Sequence, residues 1–193
     1  MSRPELDDLE KILHQCRRNN KQAQAELYNL LAPKLLGLCM RYLQDRDMAE
    51  DVLQDAFVKI FMNLGSYRGE GSFEGWAKRI AVNTALTALK AKNRIYFERD
   101  LTLVENIDFS EEDQVQLSVK EITACMNELS PGYRTILNLY LIEEFPHAEI
   151  AQKLGISEST SRSQYTRARQ VMMKLLKGKI KEQADKIPNY RIK

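Results

Sequence analysis

The sequence is poor in cysteine and histidine. It contains 3 cysteines among 193 residues, Cys16, Cys39 and Cys125, and no pair of them forms a C-x-x-C motif. An odd number of widely spaced cysteines predicts neither a disulfide framework nor a zinc knuckle. His14 is near enough to Cys16 to share a metal, but the other usual ligands are missing. We therefore expect buried thiols, no metal and no other cofactor.

The sequence also lacks long apolar runs. No stretch approaches the ~20 apolar residues that a membrane-spanning helix needs. The N-terminal segment is charged and amphipathic, without the apolar core and cleavage site of a secretory signal. The apolar fraction of 44% is ordinary for a soluble protein and allows a packed core. These features predict a cytoplasmic protein with no direct membrane insertion.

The formal net charge is only +2, but its distribution is uneven. Residues 76–94 and residues 159–181 carry five and seven basic side chains and no acidic one, whereas residues 98–113 carry seven acidic side chains against Arg99. Two basic segments separated by an acidic one predict two surfaces that face a polyanion, joined by a segment that avoids it.

Helical periodicity dominates the chain, and no strand-like alternation is found. An apolar face extends through residues 22–44, a second helix is expected from Asp47 to about Leu64, and a third from about Phe73 to Asn93. Asp47 is the expected N-cap of the second helix, with Glu50 completing a capping box. The glycine-rich segment 65–72 between the last two helices is expected to be a loop.

Periodicity fades where the acidic residues accumulate and returns near residue 114. We therefore expect an all-α fold with two small helical domains, residues 1–94 and 114–193, joined by a flexible acidic linker at 95–113. In the second domain Ser130-Pro131 and Pro146 begin helices, Gly155 ends one, and Ser157 caps the last.

The segment 147–169 has the pattern of a helix-turn-helix. Ile150 and Leu154 are apolar at i and i+4, Ala151 permits a close helix approach, and Gly155 permits the left-handed turn. The next helix presents polar and basic side chains suited to base edges and phosphates. The candidate DNA-binding residues are Ser157, Ser159, Thr160, Arg162, Ser163, Gln164, Arg167 and Arg169. An ordinary helical hairpin with a glycine corner is the alternative.

The helix at 47–61 is strongly acidic. Paired carboxylates at i and i+4 can perform acid–base catalysis, but a catalytic pair needs a cleft, a partner and usually a metal or a histidine. None is evident, so we expect no enzyme, and a helix this acidic is either a solvated face or a docking surface for a basic partner. The candidate docking residues are Asp47, Glu50, Asp51, Gln54, Asp55, Phe57 and Lys59.

Aromatic and basic side chains interleave in and after the glycine-rich loop. Such a mixture suits unpaired bases, which stack on aromatic rings for about 1–3 kcal/mol each, while extruding a base costs only a few kcal/mol. The candidate residues are Tyr67, Arg68, Phe73, Trp76, Lys78, Arg79, Asn83 and Lys90. The alternative is that Phe73 and Trp76 are core residues, and we expect this mainly of Trp76.

Taken together, three ordered blocks resemble the sigma factors of bacterial RNA polymerase, specifically the extracytoplasmic-function (ECF) group. They are DMAEDVLQDAFVKIF, SFEGWAKRIAVN, and LSPGYRTILNLYLIEEFPHAEIAQKLGISEST followed by SRSQYTRAR. The resemblance covers roughly residues 20–94 and 115–178. Where family members often carry Asp, Arg and a buried Val, this chain has Thr87, Lys90 and Ser161. We expect Ser161 to seat its helix less tightly.

The resemblance implies a role for each block. The helix at 47–61 would dock on the clamp helices of the polymerase largest subunit, and residues 66–94 would melt and bind the −10 promoter element. Residues 130–178 would bind the −35 element and meet the flap of the second-largest subunit. Members of the group are commonly held inactive by an anti-sigma factor, which is therefore an expected partner.

Two other functions remain open from the sequence. One is a stand-alone helix-turn-helix regulator whose N-terminal half senses or dimerises. The other is a sigma-like interaction module that holds polymerase or another partner without binding promoters. The first leaves the blocks at 47–94 unexplained, and the second would be tested by replacing Arg162 and Gln164 with Ala, since a DNA-binding protein should then lose one class of promoter.

Overall fold

The computed structural model describes residues 3–91 and 117–186, and the chain divides into two compact units, Met1–Lys92 and Asn93–Lys193. Every regular element in the described ranges is helical, and the second unit contains a helix-turn-helix, so the all-α prediction is confirmed. The predicted acidic linker, residues 95–113, lies outside the described residues.

The first unit contains four helices and one short 3₁₀ turn: α1 Arg3–Arg17, α2 Lys21–Leu43, α3 Arg46–Met62, the turn Leu64–Ser66, and α4 Phe73–Ala91. Helices α2, α3 and α4 pack against one another, and α1 lies against α2 and the 3₁₀ turn. Leu27, Leu31, Leu35 and Leu38 recur at helical spacing along α2 and are buried with Tyr42. This single apolar face explains why the three longer helices form one core.

Helix α3 begins earlier than the sequence suggested. Asp45, not Asp47, is its N-cap, and the Asp45 carboxylate accepts a hydrogen bond from the Met48 amide at 3.1 Å. After α2 ends at Leu43, the C-cap residue Gln44 adopts a left-handed conformation (φ 55°), and Asp45 is then the residue with extended geometry before α3. The predicted capping box was therefore wrong, and Glu50 instead pairs with Arg46 at 2.8 Å.

The second unit contains α5 Val119–Glu128, α6 Pro131–Leu137, a π-helical turn Asn138–Ile142, α7 His147–Leu154 and α8 Glu158–Lys186. Ser118 and Glu121 form a capping box at the start of α5, and Pro131 takes the first position of α6 as predicted. Helix α8 packs against α5, α6 and α7. It is the element around which this unit is built.

Arg134 joins α5 to α6 from a buried position. Its guanidinium donates to the backbone carbonyls of Asn127 at 3.3 Å and Leu129 at 3.1 Å, where α5 ends. These carbonyls carry the negative end of the helix dipole and lack intrahelical donors. Burial lowers the pKa of Arg134. The Arg134 guanidinium thus supplies the hydrogen-bond donors that these carbonyls at the end of α5 lack.

The turn between α7 and α8 follows the predicted pattern. Gly155 adopts a left-handed conformation (φ 73°), and its amide and that of Ile156 both donate to the Ala151 carbonyl. Ser157 then caps α8 by accepting a hydrogen bond from the Thr160 amide at 3.0 Å. Helix α8 therefore starts immediately after a tight corner.

Candidate polymerase-docking and DNA-binding surfaces

The acidic surface of α3 lies along its solvent side. Asp47, Asp51, Gln54, Asp55 and Lys59 are exposed, whereas Glu50 is half-buried beside Arg46. The Lys59 ammonium donates to the Thr84 hydroxyl of α4 at 3.2 Å, which directs this cation towards α4. The remaining stripe is left strongly negative, as a docking surface for basic side chains requires.

Phe57 does not belong to that surface. It is 3% exposed, and its ring lies 4.5 Å from that of Tyr28 and 5.9 Å from that of Phe61. Phe57 faces inwards with Leu53 and Ile60, as the helical spacing of 4 and 3 residues requires. Its assignment as a docking residue is corrected to a core role beneath the acidic stripe.

A groove of about 420 Å³ runs beside the acidic stripe and involves α2 as well as α3. Its lining residues are Tyr28, Asn29, Ala32, Pro33, Leu36, Glu50, Leu53 and Gln54. The contribution of α2 was missed from the sequence. The available signal was Pro33, which lies inside a 23-residue helix and cannot donate to the carbonyl four residues before it. The groove places a largely apolar floor next to the exposed carboxylates.

The glycine-rich loop is organised by three aromatic rings. The rings of Tyr67, Phe73 and Trp76 form a cluster with centroids 5.1 to 5.6 Å apart. Phe73 is buried, so its assignment as a DNA-binding residue is corrected to that of an anchor. The core role was expected mainly of Trp76, but Trp76 and Tyr67 are both half-buried. The Tyr67 hydroxyl donates to the Gly71 carbonyl at 2.8 Å, and Arg17 of α1 donates to the Tyr67 carbonyl at 3.3 Å.

The basic side chains near this cluster are not equivalent. Arg68 and Arg79 are exposed, but Lys78 pairs with Glu74 at 2.9 Å. Glu74 also binds Lys34 of α2 at 2.6 Å, and the hydrogen bonds from Lys34 and Lys78 lower its pKa. Part of the positive charge predicted here is therefore already neutralised within the unit.

Helix α4 continues this surface as a narrow exposed stripe. Asn83, Thr87 and Lys90 are all exposed and follow one another at spacings of four and three residues, so they share one face. The Thr87 hydroxyl donates to the Asn83 carbonyl at 2.8 Å. The stripe combines an amide, a hydroxyl and a cation.

The first turns of α8 present hydroxyls and arginines to solvent. Ser157, Ser159, Arg162, Ser163 and Arg169 are exposed, and Thr160 and Arg167 are half-buried. The Ser157 hydroxyl lies 2.9 Å from that of Ser159 and 2.7 Å from that of Thr160. Arg162 pairs with Glu158 at 2.6 Å on the exposed surface. Such a pair is weak in water and can exchange for a phosphate.

Gln164 is the exception in this set. It is 5% exposed and lies on the inner face of α8 with Ser161 and Ala168, at spacings of three and four residues. Its assignment as an exposed DNA-binding residue is therefore corrected. The assignment relied only on the hydrogen-bonding capacity of its side-chain amide, whereas the orientation of α8 places that side chain in the interior.

Ser161 has a partner that sequence analysis missed. Ser161 is fully buried, and its hydroxyl lies 2.9 Å from Nδ1 of His147 on α7. Burial, with a smaller contribution from the charge of Arg162, lowers the pKa of His147 and favours the neutral ring. A polar side chain at a position where family members often bury Val requires a partner in the interior, and that requirement was the available signal.

Metal-ligating side chains do not cluster within residues 3–91 and 117–186. Cys16, Cys39 and Cys125 are all buried thiols, and burial raises the pKa of Cys39 to about 11. None of the helices that the structure describes is long and apolar enough to cross a membrane.

Comparisons with known proteins assign both units. Residues 27–95 match the family model for Sigma-70 region 2, and residues 120–172 match that for Sigma-70, region 4. The RNA polymerase sigma-H factor of Pseudomonas aeruginosa is 31% identical over 186 residues, covering 90% of this chain and 96% of that protein. The ECF RNA polymerase sigma factor SigW of Bacillus subtilis is 26% identical over 181 residues, covering 88% and 97%.

The fold is also found among solved structures of sigma factors. The sigma factor RpoE of Bartonella quintana, crystallised with the anti-sigma factor NepR, is 21% identical, with a TM-score of 0.51 and coverage of 79% of this chain and 96% of that one. A stand-alone helix-turn-helix regulator would account for the region 4 match but not for the region 2 match. The chain therefore belongs to the extracytoplasmic-function group of the sigma-70 family of bacterial RNA polymerase sigma factors.

Proposed function

We propose that this sigma factor binds core RNA polymerase through α2 and α3. It melts and binds the −10 element with the glycine-rich loop (residues 65–72) and α4, and it binds the −35 element with α8. The observation that carries the proposal is the presence of two exposed polar and basic helical surfaces, one in each unit. Each lies within a region that matches a sigma-70 model. The protein contributes binding and base discrimination, and polymerase performs the chemistry, so we propose no enzymatic activity.

The polymerase contact is supported by the pairing of charge and groove on the first unit. Asp47, Asp51 and Asp55 offer carboxylates to basic side chains, and the groove beneath them accepts apolar ones. Such a combination suits the polymerase clamp helices, because a charged rim steers association while an apolar floor supplies affinity. We propose that the second unit contacts the flap of the second-largest subunit.

The −10 contact is supported by the half-buried rings of Tyr67 and Trp76. Their inner edges rest on Phe73, and base stacking on such rings contributes about 1–3 kcal/mol per base. Arg68, Arg79 and Lys90 are exposed where they can contact the phosphate backbone of the same DNA strand, and Asn83 is exposed where it can contact a base edge. The arrangement favours an extruded base over intact duplex.

The −35 contact is supported by the geometry of α8. Ser159, Arg162 and Ser163 project from its first turns, as in a recognition helix that enters the major groove by its N-terminal end. Arg167 and Arg169 follow on the next turn, at the height where phosphates flank the groove. We propose that in this protein the first turns of α8 contact base edges and that Arg167 and Arg169 contact phosphates.

We propose two further features of this protein's cellular role. An anti-sigma factor holds it inactive, by analogy with the RpoE–NepR complex, whose sigma factor shares this fold. The protein acts in the cytoplasm, where RNA polymerase is found. Co-purification of a bound partner that blocks transcription in vitro would test the first feature.

Run-off transcription on a promoter library tests the proposed function. Purified core polymerase with this protein should select templates that share two elements about two helical turns apart. Arg162→Ala should alter the selected −35 element, and Asp51→Asn combined with Asp55→Asn should weaken core binding. Thr166→Ala, an exposed change on α8 outside the proposed contacts, is the control. Transcripts identical to those of core polymerase alone would contradict the proposal.

A further inference from the structure

His147, Ser161, Tyr140 and Tyr165 form a polar and aromatic cluster behind the recognition helix. His147 is the first residue of α7, Ser161 lies in the first turn of α8, and Tyr140 belongs to the π-helical turn before α7. His147 is 8% exposed and Ser161 is not exposed at all. The cluster therefore connects three elements, and its His147–Ser161 pair is buried, whereas Tyr140 is 36% exposed.

The hydrogen bond at the centre of the cluster is directional. Nδ1 of His147 and the Ser161 hydroxyl are 2.9 Å apart, and each loses its water on burial. A buried polar atom without a partner carries its full desolvation cost, so α8 is held at the rotation that keeps the bond. An apolar side chain at position 161 would impose no such angular condition, because apolar burial is non-directional.

The aromatic rings restrict the rotation of α8 through a second contact, separate from the hydrogen bond. Tyr140 stacks on the imidazole with centroids 4.5 Å apart and planes 16° apart, and Tyr165 meets Tyr140 at 4.4 Å. Tyr165 follows Ser161 by one helical turn, so the bond and the ring contact lie on one side of α8. Two contacts in line along a helix limit both its rotation and its sliding.

The outward side chains depend on that rotation. Ser159, Arg162 and Ser163 lie next to Ser161 in sequence but point to solvent. Because each residue turns an α-helix by about 100°, a small rotation moves all of them relative to a bound groove. We propose that the His147–Ser161 hydrogen bond, supported by Tyr140 and Tyr165, positions α8 and thereby determines how strongly the −35 element is selected.

This inference rests on the proposed function, and its experiment compares transcription from a selected promoter with transcription from the same promoter carrying a scrambled −35 element. Full-length Ser161→Ala and His147→Phe should each lower this ratio by about tenfold, the order expected when one buried hydrogen bond is lost. His147→Phe keeps a stacked ring, so it separates the bond from the stack. The double variant His147→Phe/Ser161→Val leaves neither polar atom of the pair buried without its partner, so it should recover thermal stability while the ratio stays low, because an apolar pair imposes no angular condition. Thr166→Ala removes a hydroxyl from the same helix and should leave the ratio unchanged.

A purely structural role would lower thermal stability and total transcript while leaving the ratio at the wild-type value, and that result would overturn the inference. Imidazole ¹⁵N chemical shifts give a second measurement, because the chain has 2 histidines and His14 is exposed in the other unit. Ser161→Ala should shift the His147 nitrogens and leave those of His14 in place; unchanged His147 signals would also overturn the inference. If wild-type protein gives no −35-dependent transcript, the proposed function fails, while the shifts still report the bond.

Discussion

At the scale of single residues, Glu74 shows how charge within the first unit is distributed. Its carboxylate binds Lys34 at 2.6 Å and Lys78 at 2.9 Å, so it joins α2 to the first turn of α4. The start of α4 carries the aromatic cluster, and the position of Phe73 and Trp76 therefore depends in part on this ion-paired carboxylate.

Glu74→Gln should lower the free energy of unfolding by about 0.5–1 kcal/mol at neutral pH, since exposed ion pairs contribute little each. The pKa of Glu74 is lowered by its lysine partners, so its contribution is present above the ordinary glutamate pKa and is lost as the pH falls through the lowered value. Urea unfolding at neutral pH and near pH 3 should show the difference shrinking in acid. Glu70→Gln, an exposed neighbour, is the control. A difference that persists in acid would contradict the ion-pair explanation.

His147 should make the stability of the second unit depend on pH, here because a base is buried and not because an acid is ion-paired. Burial lowers its pKa below the ordinary value of 6.5, Arg162 adds to the effect and Glu158 opposes it. The unfolded chain then binds the proton more readily, so stability is complete above the ordinary pKa and is lost as the pH falls towards the lowered one. Between about pH 7.5 and 5.5, denaturant unfolding should show a steeper loss for the wild type than for His147→Phe. Parallel curves would argue against a neutral buried ring.

At the scale of elements, the corner between α7 and α8 depends on one backbone conformation. Gly155 has a φ of +73°, and nothing lies within 4 Å of the position that a Cβ would take. A side chain there meets no steric clash, so any cost comes from the left-handed conformation alone. The orientation of α8 thus has a backbone determinant at Gly155 and a side-chain determinant at Ser161.

Gly155→Ala should destabilise the protein by about 1–2 kcal/mol, the cost of a left-handed conformation for a residue with a Cβ. Gly178→Ala provides a matched control inside α8, where the surroundings are equally open. It should instead stabilise by about 0.5–1 kcal/mol because alanine favours the helix. Thermal unfolding of the two variants should therefore show shifts of opposite sign, and shifts of the same sign would contradict the assignment.

At the scale of the whole molecule, the protein is nearly neutral although both proposed DNA-binding surfaces are basic. Phosphate neutralisation supplies most non-specific affinity for DNA, and a net charge of +2 leaves little of it. The pairs Lys78–Glu74 and Arg162–Glu158 place part of the compensating negative charge on the proposed DNA-binding surfaces themselves. Stable promoter binding by this protein should therefore require the polymerase.

The free protein should bind promoter DNA weakly, and the complex with core polymerase should bind it tightly. Gel-shift titration of one selected promoter, with and without core polymerase at fixed salt, measures the difference. We expect at least a hundredfold gain in affinity, which corresponds to about 2.8 kcal/mol. Equal affinities in the two titrations would contradict the prediction.

The features that the sequence determined by itself depend on interactions between residues that are close together in the chain. Apolar periodicity, the Ser130-Pro131 start and the Gly155 corner predicted the all-α fold and the helix-turn-helix, because helix formation and turn geometry depend on neighbours within a few residues. The ordered motifs identified the family for the same reason, since each is a short contiguous block.

Burial was decided only by the tertiary structure. Phe57, Phe73 and Gln164 have side chains suited to binding, yet helix packing places all three inside. The groove on α2 and α3 and the His147–Ser161 bond join residues from different helices. Which face of a helix meets its neighbour depends on contacts between distant parts of the chain. The sequence therefore predicted most of the helices, although not α1, and identified the family. The packing of the helices decided which side chains remain available to polymerase and DNA.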